Sequence, residues 1–188
     1  MGHHTFDANA AAGLEDESRY AYLSVDELLS WLEPHAEDCV ADLGSGTGFY
    51  TRSIAQHVAG IVAIDLQPTM HAAFEEYGVP ATVTRVTATI DALPLTTNAL
   101  GGAYSTMTYH EFYHRDALAE LNRVVEPGGR IVIADWSAAG QGERGPPLEE
   151  RYDAESVAEH FSAQAFVVEY AEDRRETLVV VARATRQS

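Results

Sequence analysis

The residues of this chain best able to do chemistry lie close together, early in the sequence. A short apolar run from Cys39 carries Asp42 and leads into Gly44, Ser45, Gly46 and Gly48. Glycine at alternate positions lets the backbone approach a ligand with no Cβ in the way. A helix-like segment, Tyr50 to Val58, follows at once. A helix N-terminus offers free N–H groups to an anion. Farther on, a second apolar run, Ile61-Val-Ala-Ile64, ends in Asp65. A carboxylate at the end of a second strand can accept from both hydroxyls of a ribose. Glycine loop and acid, in strand–loop–helix–strand–acid order, describe a site for a nucleotide-type cofactor. The dinucleotide fingerprint G-x-G-x-x-G is not met, because Phe49 stands where its last glycine belongs. A ring there argues against a tight pyrophosphate cradle.

A second cluster comes later, in Met107-Thr-Tyr109-His110-Glu111. His110 titrates near neutral pH and can serve as a general base, with Glu111 sharing or orienting that role. The competing reading is structural: Glu111 caps the next helix and His110 packs on the sheet. Trp136 ends an apolar run, as a pocket wall or a core aromatic. Gly145-Pro-Pro-Leu-Glu149-Glu150 is a stiffened turn whose acids either reach a pocket or face solvent.

These residues need a scaffold. Strands are expected near 39–43, 60–65, 81–87, 101–107, 129–135, 164–171 and 176–184. Helices are expected near 50–58, 68–77, 114–125 and 153–162. Ser24, with Glu27 three residues on, is a capping box for a helix that Pro34 ends near Glu33. Strand–helix alternation predicts an α/β fold, a mostly parallel seven-stranded sheet with helices on both faces. Asp173-Arg-Arg175 is too short for a crossover, so the last strand should return antiparallel. One domain is expected over 1–188, with 1–35 as an N-terminal lid and helix and 36–188 as the cofactor-binding core. Phe6, Tyr20 and Tyr22 are lid candidates.

On these residues the chain resembles the class I S-adenosylmethionine-dependent methyltransferases. Val40–Gly48 is similar to their first motif, Asp65 to their ribose acid, and Arg123-Val-Val-Glu-Pro-Gly-Gly129 to the turn into their fifth strand. Within the family the chain is similar to the small prokaryotic type 11 (UbiE-like) group, including a set that begins H-x-F-D, as in His4-Thr-Phe-Asp7. The resemblance implies a Rossmann-like methyltransferase fold and S-adenosylmethionine as cofactor. It implies that the loop Asp42–Gly48 with Tyr50 holds the methionine tail. Asp42 then either accepts from the tail ammonium or caps the loop. Asp65 takes the ribose, Leu66 and Ile90 flank the adenine, and Met107 frames the cofactor. Thr89 stands where the family carries an adenine-binding Asp. The acceptor pocket is expected at Tyr109, His110, Trp136 and Glu149. The other readings are a catalytically silent cofactor-binding scaffold or sensor and a nicotinamide-dependent oxidoreductase.

Composition narrows the partners. The net charge is −17, and all 12 basic residues counted are arginine. Such a surface repels nucleic acid and anionic membranes. Dispersed acids without lysine suit high salt, where self-repulsion is screened. No membrane span, secretory signal, disulfide or metal cluster is legible, so a cytoplasmic monomer or homodimer acting on a small-molecule acceptor is expected.

Overall fold

The computed structural model describes residues 8–185. His4-Thr-Phe-Asp7, and with it Phe6, lies outside the described residues. Two 3-10 helices, Ala8–Glu15 and Glu17–Ala21, precede helix α1 (Val25–Leu32). Strands β1 (Cys39–Leu43), β2 (Gly60–Asp65), β3 (Val83–Thr87), β4 (Leu100–Thr106), β5 (Val125–Trp136), β6 (Val167–Asp173) and β7 (Thr177–Arg183) follow. Between them lie α2 (Thr51–Ile54), α3 (Pro68–Tyr77), α4 (Tyr109–Phe112), α5 (Arg115–Val124) and α6 (Ala154–Ser162).

The seven strands form one sheet in the order β3-β2-β1-β4-β5-β7-β6. Among the described residues only β7 runs against its neighbours, paired antiparallel to both β5 and β6. The expected fold class is observed, with the reversed strand inserted next to the edge. Side chains alternate across the sheet. Ala41, Leu43 and Ile133 face α5 and α6, whose buried stripes include Leu118, Leu121, Val157 and Phe161. Val40, Tyr104 and Val132 face the other way, toward Leu28 and Leu32 of α1 and Ile54 of α2.

Local chemistry explains most boundaries. The Ser24 hydroxyl accepts from Glu27 N at 3.2 Å and starts α1. The Glu27 carboxylate bonds Arg174 of the β6–β7 turn, so it serves that connection. Gly128, at φ +96°, turns the chain within β5. A Cβ on Gly129 would lie 2.6 Å from the Gly101 carbonyl, so glycine allows β5 to extend back to Val125, four residues before the expected start. The helix after the glycine loop is shorter than its sequence suggests. It spans Thr51–Ile54 where 50–58 was expected. The chain must leave it early, because Ala59 N and Gly60 N bond the Asp38 carbonyl to begin β2.

Candidate active site

A cavity of about 920 Å³ opens at the carboxyl ends of β1, β2, β4 and β5. β1 lies at the centre of this edge, flanked by β2 and β4. On the way to β2, Ile54 of α2 packs on one face of the sheet, and on the way from β3 to β4, Ile90 and Leu93 pack on the other, leaving a crevice of the kind where ligands of open α/β sheets bind.

The glycine loop forms one wall, but not by presenting its first N–H groups. Gly44 N and Ser45 N both donate to the Ile64 carbonyl at 2.9 Å. Gly46 N donates to Asp65 Oδ2 at 2.9 Å, and Gly48 N to the Ser45 carbonyl at 2.9 Å. The glycines are needed for close approach instead. A Cβ on Gly44 would lie 2.3 Å from Thr108, and one on Gly48 would lie 2.2 Å from the Phe74 ring, both at φ +78°. Gly48 is absent from the cavity wall and acts as the seat of α3. The four-residue α2 offers no extended dipole to an anion, which corrects the expected helix N-terminal site.

Charge converges on this wall. Asp42 is 2% exposed, and its Oδ2 accepts from Thr51 Oγ1 at 2.5 Å. Among the described residues its Oδ1 is buried without a partner at hydrogen-bond geometry, as is Ser45 Oγ. Burial pushes the Asp42 pKa up to about 6, against the pull of the Thr51 and Tyr104 hydroxyls nearby. Burial also raises Asp65, opposed by the N–H bonds from Gln67 and Gly46. Above the loop, Arg19 of the second 3-10 helix lies 5.0 Å from the Phe49 ring centre and 5.3 Å from that of Tyr50. Burial lowers its pKa, offset by Tyr50, Asp42 and Glu15. Glu15 ties this segment down by accepting from Thr47 Oγ1 at 2.5 Å and pairing with Arg52.

The opposite wall carries His110, its side chain 10% exposed. His110 Nδ1 lies 2.9 Å from Asp135 Oδ2, and His110 N donates to the same oxygen at 2.7 Å. Glu111 Oε1 is 3.9 Å from Nε2.

Residues 41–133 match the family model described as a methyltransferase domain. An uncharacterised methyltransferase of Mycobacterium tuberculosis is 31% identical over 128 residues, 68% of this chain and 51% of that protein. A malonyl-[acyl-carrier protein] O-methyltransferase of Alcanivorax borkumensis is 32% identical over 129 residues, 66% of this chain and 44% of the relative. The chain spans about half the length of the curated relatives it matches. The crystal structure of an S-adenosylmethionine-dependent methyltransferase from Aquifex aeolicus superimposes with a TM-score of 0.87 at 26% identity, covering 96% of this chain and all of that one. The chain belongs to the class I S-adenosylmethionine-dependent methyltransferases, in the type 11 group.

Most of the site residues expected from the sequence reach the cavity. Asp42, Gly44, Ser45, Gly46, Tyr50 and Asp65 line it, as do Leu66, Thr89, Ile90, Met107, His110, Glu111 and Trp136. Thr89 is exposed and Leu66 is 44% exposed, while Ile90 is buried. Tyr109 is absent from the wall. It is fully buried beside Tyr113, with its hydroxyl 3.1 Å from His160 Nδ1. Neighbours on a helix point about 100° apart, so Tyr109 faces α6 while His110 faces the cavity. Glu149 is exposed and also off the wall. Its place is taken by Arg144, Gly145 and Pro146. The buried Arg151 holds this turn, donating to the Pro146 carbonyl at 2.8 Å and to the Arg144 carbonyl. Of the lid aromatics, Tyr22 lies edge-on to Trp136 at 5.1 Å, and Tyr20 packs on Phe49 at 4.8 Å.

Sequence reasoning assigned no role to Arg19 or Asp135. Asp135 had a readable signal, an acid closing an apolar strand as Asp65 does. Arg19 had none, since its partners lie across the glycine loop.

Proposed function

We propose that this protein transfers the methyl group of S-adenosylmethionine to a small-molecule acceptor at the His110 end of the cavity. One observation carries the reading. Among the described residues, Asp42 Oδ1 and Ser45 Oγ are buried and meet no partner at hydrogen-bond geometry, with the Tyr104 hydroxyl near Asp42, and both residues line the cavity beside Asp65. Buried polar atoms left unbonded in the chain call for a polar ligand. The wall suits this one in charge. Asp42 takes the tail ammonium, the Arg19 guanidinium the tail carboxylate, and Asp65 the ribose hydroxyls. Asp65 retains acceptor capacity, because each carboxylate oxygen has two lone pairs. Leu66, Met70 and Ile90 offer apolar contact to the adenine, with Thr89 as a neutral polar neighbour.

The cofactor supplies an activated methyl group, so the chain's work is to align the acceptor, exclude water and accept a proton. Aromatic and aliphatic walls exclude water, and His110 is the base. Calorimetry should show S-adenosylmethionine and S-adenosylhomocysteine binding, and a nicotinamide dinucleotide failing to bind. Dinucleotide binding in their place would overturn the assignment. A silent cofactor sensor draws support from the uncharged Thr89 at the adenine position. Labelled methyl transfer into a metabolite extract, with His110→Ala as control, separates it from an enzyme.

A further inference from the structure

Asp135, next to last in β5, is 2% exposed and is absent from the cavity wall. It accepts three N–H groups: His110 N at 2.7 Å, Trp136 N at 2.7 Å, and the His110 imidazole through Nδ1. Two of these bonds fix the carboxylate to the backbone of α4 and β5. The third sets the ring. A carboxylate oxygen accepts, so in the neutral imidazole Nδ1 carries the hydrogen and Nε2 keeps its lone pair. We propose that Asp135 is a positioning residue that presents His110 Nε2 to the cavity as a base, and that the acceptor is methylated on a ring hydroxyl of phenol or enol type. This rests on the methyl-transfer reading above.

The acceptor class follows from what a held base is useful for. A carboxylate is already ionised at neutral pH, and a thiol ionises near pH 8.5. A phenol-type hydroxyl, near 10 as in tyrosine, keeps its proton at neutral pH and gains nucleophilicity when a base removes it. The hydroxyl proton passes to Nε2, the oxygen forms the new bond to the methyl carbon, and the electrons of the broken carbon–sulfur bond stay on sulfur. The developing oxyanion then lies beside an imidazolium. An ammonium acceptor would give no such pair, since its proton loss leaves a neutral amine. Tyr22, Phe112 and Trp136 line the cavity together with His110 and offer flat faces to an aromatic ring, with Glu111 and Arg144 as charged neighbours. Gly145 lies against Trp136, where a Cβ would be 2.5 Å from the indole, so the ring is held in place.

The groups facing His110 come from three elements: Asp135 on β5, Glu111 on α4 and Glu150 in the 3-10 turn at 148–150. Burial works against a charge there, but the Asp135 bond and the three acids outweigh it and raise the pKa. Nitrogen-15 NMR of the whole protein should therefore find His110 as the Nδ1–H tautomer, with a pKa above the ordinary histidine value. Asp135→Asn should shift the tautomer toward Nε2–H and lower that pKa, with S-adenosylmethionine affinity unchanged. An Nε2–H tautomer in the unmodified protein, or an unmoved pKa in the variant, overturns the positioning role. The unmodified protein alone decides the first point, whether or not the variant folds.

Acceptor class is read with matched aromatic probes: catechol, 1-naphthol, benzylamine, benzyl mercaptan and benzoate. Release of S-adenosylhomocysteine with a hydroxyl probe is expected, falling about 100-fold in Asp135→Asn through kcat, because His110 is then no longer held in the tautomer that acts as the base. Transfer to the amine, thiol or carboxylate alone, or to none of the five while S-adenosylmethionine binds, overturns the hydroxyl class and leaves cofactor binding intact. Failure to bind S-adenosylmethionine overturns the methyl-transfer reading and the acceptor class with it.

Discussion

Asp42 is a buried carboxylate with, among the described residues, one oxygen bonded to Thr51 and the other without a partner at hydrogen-bond geometry. Its pKa of about 6 lies above the ordinary 3.8, so the folded chain binds that proton more tightly than the unfolded chain. Stability from this group is therefore present below about pH 4, declines between pH 4 and 6, and stays reduced above. Asp42→Asn should remove the decline and stabilise the ligand-free protein at pH 7 by on the order of 2–3 kcal/mol. It should also weaken S-adenosylmethionine binding. Urea unfolding at pH 4 and pH 7, with calorimetry, checks both. Asp65→Ala should weaken cofactor binding by about 1.5–3 kcal/mol, through loss of charged hydrogen bonds. Unchanged affinity by calorimetry would dismiss the ribose assignment. Asp42 and Asp65 were legible because each sits at a strand end next to glycine or a turn. Asp135 occupies a similar position, but its importance depends on a histidine 25 residues away in sequence.

At the scale of elements, the N-terminal segment is the part most dependent on side-chain ties. Glu15 joins the first 3-10 helix to Thr47 and Arg52, and the Tyr50 hydroxyl donates to the Leu23 carbonyl at 2.8 Å. Glu15→Ala should cost about 1 kcal/mol, since the pair is partly exposed and screened. Hydrogen exchange over residues 8–21 should quicken while the β-sheet amides stay protected. Equal exchange in both proteins would show that apolar packing alone holds the segment. The segment was not readable as structure because 3-10 turns carry little hydrophobic periodicity. The short α2 misled for the opposite reason. Its residues tolerate helix well past Ile54, but the route into β2 ends it.

The whole molecule carries a net charge of −17. Acid–acid repulsion across such a surface opposes folding, and salt screens it. Raising KCl from 0.1 to about 1 M should raise the Tm by several degrees. A Tm that falls or stays level would show that local ion pairs, such as Arg130 with Glu33 and Glu169, matter more than the net field. The strands were legible throughout, since apolar runs between glycine, proline and acidic turns mark them locally. The reversed β7 followed from a connection too short to cross the sheet. The sequence by itself thus determined the fold class and the family, and it named most of the residues that line the cavity. Tertiary structure decided which neighbours share the cavity. It turned Tyr109 into the core and His110 outward, replaced Glu149 with Arg144 and Pro146, and brought Arg19 and Asp135 to their partners. Local pattern reports which face of an element is apolar, whereas a site depends on distances between elements that only packing sets.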